Sequence, residues 1–501
     1  MEDSSAVDER ISTSVRDTRD QNAEFSPEAQ SMASIDLELR ADAARRLQRA
    51  ILQMDRFLLR NERHRLGRGD PTRKLCEALS SEARHLLAEV TGECDGPTPE
   101  STLRSSYRLA GSLANLVAWS APASQESGAL NSYPVIAARD VVAYARYGSA
   151  ETAAQEAAYL VMLGFDPTRA RILLTSSGMA AYSLIETFLL REVLRPADRA
   201  VLHPGVYFET RQQLQSLPGL DVKIARGGSR NDMLDAIAAH QPRVVFVDPL
   251  THSCELRVID LLRLLDAAEG ACRHVTWFIV DGTLLSGSFD PFTHQNPRRQ
   301  VRVLYYESGC KYLQFGMDLG PAGVVVVEAS LGRQFDQLRR GIGAIASETL
   351  VLPRASRSAY LGYLQAQTAC ARAVARAVLE ASADGEPIIE CSFPSEAGHP
   401  DYSEALRHSH LGGVVIFRFL EDRFNRRKPL ESFIDNLLAL ARLRNLTLTA
   451  GVSFGFRVPR IGVAWLGYDS DDAYLRLSAG VSVERATQLG RLIVQCACEF
   501  Q

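Results

Sequence analysis

Lysine is nearly missing from this chain. Of its 56 basic residues only Lys74, Lys223, Lys311 and Lys428 are lysines, and the rest are arginine. Arginine stays protonated and cannot act as an amine nucleophile, whereas lysine can. In a composition that uses arginine wherever charge alone is needed, each remaining lysine is a candidate for chemistry. Positive charge is not in excess either: the formal net charge is -4 and the arginines are scattered among acids. A nucleic-acid partner, which calls for a basic stripe, is not expected. No run of about 20 apolar residues occurs, so no membrane-spanning helix is expected. The first residues, MEDSSAVDER, are acidic and lack an apolar stretch, which predicts no signal peptide. The nine cysteines are odd in number and lack metal-ligand spacing. They predict reduced thiols in a cytoplasmic protein, and no metal.

The 501 residues exceed what one core usually serves, so two or three domains are expected. Residues 1–31 carry eight acids, three arginines and one aromatic, Phe25. With so little to bury, they read as a disordered acidic tail, assigned to 1–33. A helical extension follows over 34–118. Leu47, Ile51, Met54 and Leu58 share one helical face, GRGDP (67–71) breaks the helix, and Leu75, Leu79, Leu86 and Val90 share a second face. Ordinary core packing explains this spacing better than a partner-binding zipper does. Residues 119–134, rich in Ser, Ala, Gly and Pro, read as an arm that opens a large domain over 119–350.

Within that domain short apolar runs alternate with helical stretches. RILLT (171–175), RAVLH (199–203), RVVFVD (243–248), VTWFIVD (275–281), VRVLYY (301–306) and AGVVVVEA (322–329) are candidate strands buried on both faces. Helices are expected between them, notably over 178–194 and 258–269. The pattern predicts an α/β architecture with ligands at the carboxyl ends of the strands. A long helix (about 355–382) then leads to VVIFRFL (414–420), LTLTAGVSFG (446–455) and AYLRLS (473–478), which fit a smaller α+β domain over 351–501.

Three features of the large domain carry chemistry. Lys311 sits in ESGCKYLQFG, after a strand and among small residues. Asp281 ends the strand VTWFIVD and is followed by Gly282 and Thr283. LLTSSGMAAYSL (173–184) reads as strand, Ser-Ser-Gly turn and helix, with the Gly178 and Met179 amides at an open helix end. Taken singly, each has a plainer reading: a solvated lysine, a turn or capping aspartate, an ordinary capped helix. Taken together, they match a pyridoxal-phosphate site. Such a site needs an amine for the aldehyde, a carboxylate for the pyridine nitrogen and helix amides for the phosphate.

The constellation resembles the Cys/Met-metabolism pyridoxal-phosphate enzymes: cystathionine γ-synthase, the cystathionine lyases, methionine γ-lyase and the sulfhydrylases. SSGMAA (176–181) is similar to the family's phosphate turn, which includes Ser177, Gly178 and Met179. HPGVYFET (203–210) is similar to the segment whose tyrosine stacks on the cofactor, here Tyr207. FIVDGTLL (278–285) resembles the strand with the pyridine-binding aspartate, Asp281, and the nearby Thr283. ESGCKYLQFG resembles the segment around the cofactor lysine, Lys311, with Ser308 as a phosphate contact. YARYGSAET (144–152) resembles the Tyr-x-Arg segment that enters a neighbouring subunit's site, here Tyr144 and Arg146. YLRLSAGVS (474–482) resembles the strand carrying the arginine for the substrate carboxylate, Arg476, and VSFGF (452–456) places Ser453 beside it.

The resemblance implies an aminotransferase-like fold type I with a mainly parallel seven-stranded sheet. It also implies pyridoxal 5'-phosphate, an amino-acid substrate with a second nucleophilic substrate in replacement reactions, and a homodimer at least. A homotetramer with active sites shared between subunits is expected. Lys311, Tyr207 and Asp281 would be catalytic, with γ-replacement or γ-elimination on a homoserine ester, homocysteine-derived or sulfonium amino acid as the expected reaction. The alternatives are a β-lyase, an aminotransferase, or a non-catalytic protein that binds the cofactor. Two departures stand out. Cys310 replaces the family's threonine before the lysine, leaving a weaker thiol donor to the phosphate. VDPLTHSCEL (247–256) lacks the family's cofactor-contacting asparagine, for which His252 or Ser253 would stand in. With the helical extension, these departures point to specialised biosynthesis.

Overall fold

The computed structural model describes residues 32–62, 70–92, 99–120, 150–293, 300–346, 352–383, 387–465 and 472–500. Residues 1–31 of the acidic tail, most of the arm, and Tyr144 and Arg146 lie outside these residues, while residues 32 and 33, assigned to the tail, are helical.

Three helices come first: α1 (Met32–Glu62), α2 (Pro71–Thr91) and α3 (Glu100–Ser120). Leu47, Ile51 and Met54 of α1, Leu86 and Val90 of α2, and Leu113 and Val117 of α3 bury one another in a core of their own. Ile35 and Leu39 of α1 and Leu103 and Tyr107 of α3 instead join the core of the main body, so the unit is packed onto it. One expected position is corrected: Leu75 is half exposed, and Cys76 takes the inward place. α3 was not singled out in the sequence, and it runs past the expected limit at 118.

The α/β part follows: α4 (Ala150–Leu163), β1 (Ala170–Thr175), α5 (Gly178–Phe188), β2 (Arg199–Leu202), α6 (Phe208–Ser216), β3 (Asp221–Ile224), α7 (Arg230–His240), β4 (Val244–Val247), α8 (Leu261–Ala271), β5 (Thr276–Asp281), β6 (Val301–Ser308), β7 (Gly323–Glu328) and α9 (Gly332–Gly341). The strands form one seven-stranded sheet in the order β1-β7-β6-β5-β4-β2-β3. Only β7 runs against its neighbours. Residues alternate between faces as the pleat requires. Leu304, Ile279, Phe246 and Leu202 meet α5 and α9 on one face. Val303, Phe278, Val245 and Val201 meet α4, α7 and α8 on the other. β3 escaped the sequence reading because it is a partly exposed edge strand without an apolar run.

The remainder comprises α10 (Arg357–Ala383), β8 (Ile389–Ser392), β9 (Val414–Phe419), α11 (Arg427–Leu443), β10 (Thr449–Ala450), β11 (Arg460–Trp465), β12 (Ala473–Ser478) and α12 (Val483–Phe500). A second sheet has the order β10-β11-β12-β9-β8. Of the run 446–455 only Thr449–Ala450 is strand; the rest is a loop carrying Ser453, and RIGVAW supplies the missing strand. Among the described residues no helix is long and apolar enough to cross a membrane.

Candidate active site

The carboxyl edge of the parallel strands gathers the chemistry, as the topology demands. β4 and β5 are parallel neighbours with Val247 opposite Val280, so Asp248 and Asp281 emerge side by side. Both are buried. Burial raises the pKa of each, and their mutual repulsion raises that of Asp248 further. They differ in what they receive. Asp281 accepts from the Thr283 N–H at 2.9 Å and from its hydroxyl, and Lys311 also favours its charge. Asp248 accepts from the Tyr207 N–H at 3.0 Å. A proton on this pair is therefore favoured on Asp248, and the anion on Asp281.

His252 joins them, its donor atom and theirs lying within 4.8 Å of one another. Burial holds its imidazole neutral down to about 3, with Arg476 and Lys311 adding repulsion. Its ring sits 5.3 Å from that of Tyr207 and 6.1 Å from that of Phe454. Ser253, the other stand-in for the missing asparagine, is engaged with Thr251 at 2.7 Å.

Lys311 donates to the Ser453 hydroxyl at 2.6 Å, and its Nζ lies 5.1 Å from the centre of the Phe454 ring. Burial lowers its pKa to about 8, with Arg476 assisting. Roughly a tenth of such an amine is free base at neutrality, far more than for an ordinary lysine, and condensation with an aldehyde requires that form. Loading of the cofactor-free protein with pyridoxal phosphate is expected to accelerate as pH rises through about 8 and then level off. A pH-independent rate of chromophore formation would contradict this. Arg476 donates to the Val452 carbonyl, and its guanidinium carbon lies 5.7 Å from the Phe454 ring.

The Ser177–Gly178 turn directly follows β1. Ser177 caps α5 by accepting from the Ala180 N–H at 3.0 Å, and its carbonyl takes the Ala181 N–H. The first-turn amides of Gly178 and Met179 are left over for an anion. Ser308, at the end of β6, lies against this turn. A Cβ on Gly178 would come within 2.9 Å of the Ser308 Cβ, so only glycine lets the helix end approach so closely. Thr283 links the clusters, its hydroxyl accepting from the Ser308 N–H at 3.0 Å. The Cys310 thiol is taken up by backbone, accepting from the Ala322 N–H at 3.4 Å with its sulfur 3.8 Å from the Gly320 carbonyl.

Two polar atoms are buried here without a hydrogen-bond partner among the described residues, His252 Nδ1 and Arg476 Nε. Buried polar groups are rarely left so unless a ligand completes them. A phosphorylated pyridine aldehyde with an amino-acid carboxylate beside it is the kind of guest this cradle fits.

A model of the Cys/Met metabolism PLP-dependent enzymes matches residues 131–447, more than half the chain. The chain belongs to this family. It is therefore a pyridoxal-phosphate enzyme, and Lys311, Asp281 and the Gly178 turn lie inside the match. Ser453 and Arg476 lie beyond its end, and α1–α3 precede its start. The chain is 31% identical over 360 residues to the bifunctional enzyme flvA of Aspergillus flavus, covering 70% of this chain and 42% of that protein. The chain thus spans less than half the length of that relative. Its fold is similar to cystathionine γ-synthase from Xanthomonas oryzae pv. oryzae, with TM-score 0.56 and 21% identity over 72% of this chain and 89% of that one. Yeast cystathionine γ-lyase gives TM-score 0.56 and 19% identity over 73% and 90%.

Sequence reasoning missed Asp248. The signal was available, since two adjacent apolar runs, RVVFVD and VTWFIVD, both end in aspartate.

Proposed function

We propose that this chain catalyses γ-replacement or γ-elimination on an amino acid with an activated γ-substituent, of the homoserine-ester, homocysteine-derived or sulfonium type, in specialised biosynthesis. The observation that carries the reading is the Lys311 amine, its pKa lowered by burial, hydrogen-bonded to Ser453 and within electrostatic reach of the Asp281 carboxylate and Arg476. Pyridoxal phosphate, when bound, supplies an electron sink that acidifies the hydrogen on the amino-bearing carbon. Asp281 would face the pyridine nitrogen and keep it protonated. The Gly178 and Met179 amides and Ser308 would hold the phosphate, with Thr283 supporting Ser308. The Cys310 thiol would contribute little, its bonding being spent on backbone.

Arg476 binds the substrate carboxylate, which orients the Cα hydrogen toward Lys311. The lysine amine removes that proton and then moves one from Cβ, so that the leaving group departs from Cγ with its electron pair. Tyr207 keeps its phenolic proton because burial, and then Glu209, push its pKa up. It is suited to stack on the ring and to protonate the departing group. His252, a neutral imidazole with an open nitrogen, is suited to the cofactor's ring oxygen. Tyr144 and Arg146 of a neighbouring subunit would complete the phosphate site, which makes a homodimer the minimal unit and a homotetramer the expected one. The absence of the usual asparagine, the altered residue at 310 and the added helices support a specialised rather than a housekeeping role.

Incubation with candidate amino acids in deuterated water tests the reading. Exchange at both Cα and Cβ is expected. Exchange at Cα alone would mean β-elimination or transamination, which product analysis separates. Arg476→Gln is expected to raise KM for the amino acid about 30-fold, as for loss of a charged hydrogen bond. An unchanged KM would move the carboxylate site elsewhere.

A further inference from the structure

The three helices that precede the family match reach the reaction site. Four residues beyond Lys311 the backbone enters an unusual turn: Phe315 and Asp318 both have φ of 50° and Gly316 has 78°. Left-handed backbone is unfavourable for side chains such as these two, so a turn of this kind depends on outside restraint. The Gln314 side chain ties the far end of the turn to Leu319 and Gly320, and further restraints come from the helical unit and from Arg457. Arg104 of α3 donates to the Met317 carbonyl at 2.7 Å, and Arg108 donates to the Asp318 carbonyl at 2.7 Å. Arg457, four residues after Ser453, donates through Nε to the Phe315 carbonyl at 3.1 Å. Its Nη1 donates to Asp36 of α1 at 2.7 Å, and both side chains are buried, at 9% and 6% exposure. Arg457 therefore bridges the turn after the cofactor lysine and the loop that carries its hydroxyl partner. Asp36 holds the bridge. Breaking one partner of a buried pair leaves the other charge unsatisfied, so this link cannot slacken without cost.

We propose that α1–α3 act as an active-site brace, in which Asp36 positions Arg457 so that the Lys311 turn and the Ser453 loop stay in register. The brace is independent of the carbon at which the substrate reacts. The groups whose charge reaches Lys311 include Arg476, Cys310, Asp318 and Arg460, and Asp281 and His252 also face it from the end of β5 and the loop after β4. Asp318 lies in the braced turn and Arg460 three residues past Arg457, so loosening the brace alters both the burial and the surroundings of the amine.

The test is cofactor uptake by the cofactor-free full chain, followed as chromophore formation against pH, with backbone hydrogen exchange over 312–318 and 453–457. Asp36→Asn, at an unchanged melting temperature, is expected to slow uptake at neutral pH about fivefold. Its pH midpoint should move upward as Lys311 gains water, and exchange should quicken in both loops. Asp36→Glu should restore most of the rate. Arg84→Ala, which removes an exposed pair with Asp55 in the same helical unit, should behave as wild type. Should Asp36→Asn fail to fold, the Arg104→Ala and Arg108→Ala double variant reads the same quantities. Wild-type uptake and midpoint in whichever of these two folds would overturn the brace. So would equal impairment of Asp36→Asn and Asp36→Glu.

Discussion

Lys311→Ala is expected to lower turnover by a factor of about 10³ or more, because one side chain serves both as covalent anchor and as proton carrier. No other lysine is placed to take over. Lys223 is paired with Asp221 at 2.8 Å on the edge strand, Lys74 lies on α2, and Lys428 lies on α11. Borohydride treatment of the wild-type protein should bleach its colour and leave a pyridoxyl group on the peptide containing Lys311. The variant should hold the cofactor only reversibly. Labelling at another lysine, or full turnover without Lys311, would end the proposed scheme.

The second large effect separates two carboxylates that look alike. Asp281→Asn is expected to reduce turnover by about 10² to 10³, since an amide cannot hold a proton on the pyridine nitrogen and the ring loses its power as an electron sink. Asp248→Asn should stay within about threefold of wild type. Asp248 is the partner that carries the proton, so an amide of the same shape keeps its acceptance of the Tyr207 N–H without removing a charge. Equal losses in the two variants would mean that the shared proton had been assigned to the wrong side chain. Steady-state turnover with saturating cofactor decides the matter.

Much of this site could be read before any coordinates. The strands with long apolar runs, β1, β2 and β4–β7, were legible because burial on both faces leaves short, near-continuous apolar runs rich in β-branched residues and bounded by turns. Asp281, Lys311 and the Gly178 turn stood at the ends of those strands, where a parallel sheet exposes its ligand edge. The short edge strand β3 was not legible, nor was the division of 446–465 into a loop and β11, since neither has a pattern distinct from its surroundings. Leu75 was misplaced by one position because periodicity locates a helical face only to within a neighbour, and Cys76 is apolar enough to compete for the inside.

Local composition and order along the chain were enough to specify the α/β layering, the scarce nucleophile and the glycine turn, because each depends on nearby residues and on pleat or helix period. Three things required the folded arrangement. The pairing of Asp248 with Asp281 depends on the register of two strands whose facing residues are 33 positions apart. The depressed pKa of Lys311 depends on burial by a loop from the second sheet. The Asp36–Arg457 link joins residues 421 positions apart. Protonation states and distant contacts are properties of the surrounding space, and a linear pattern carries no measure of it.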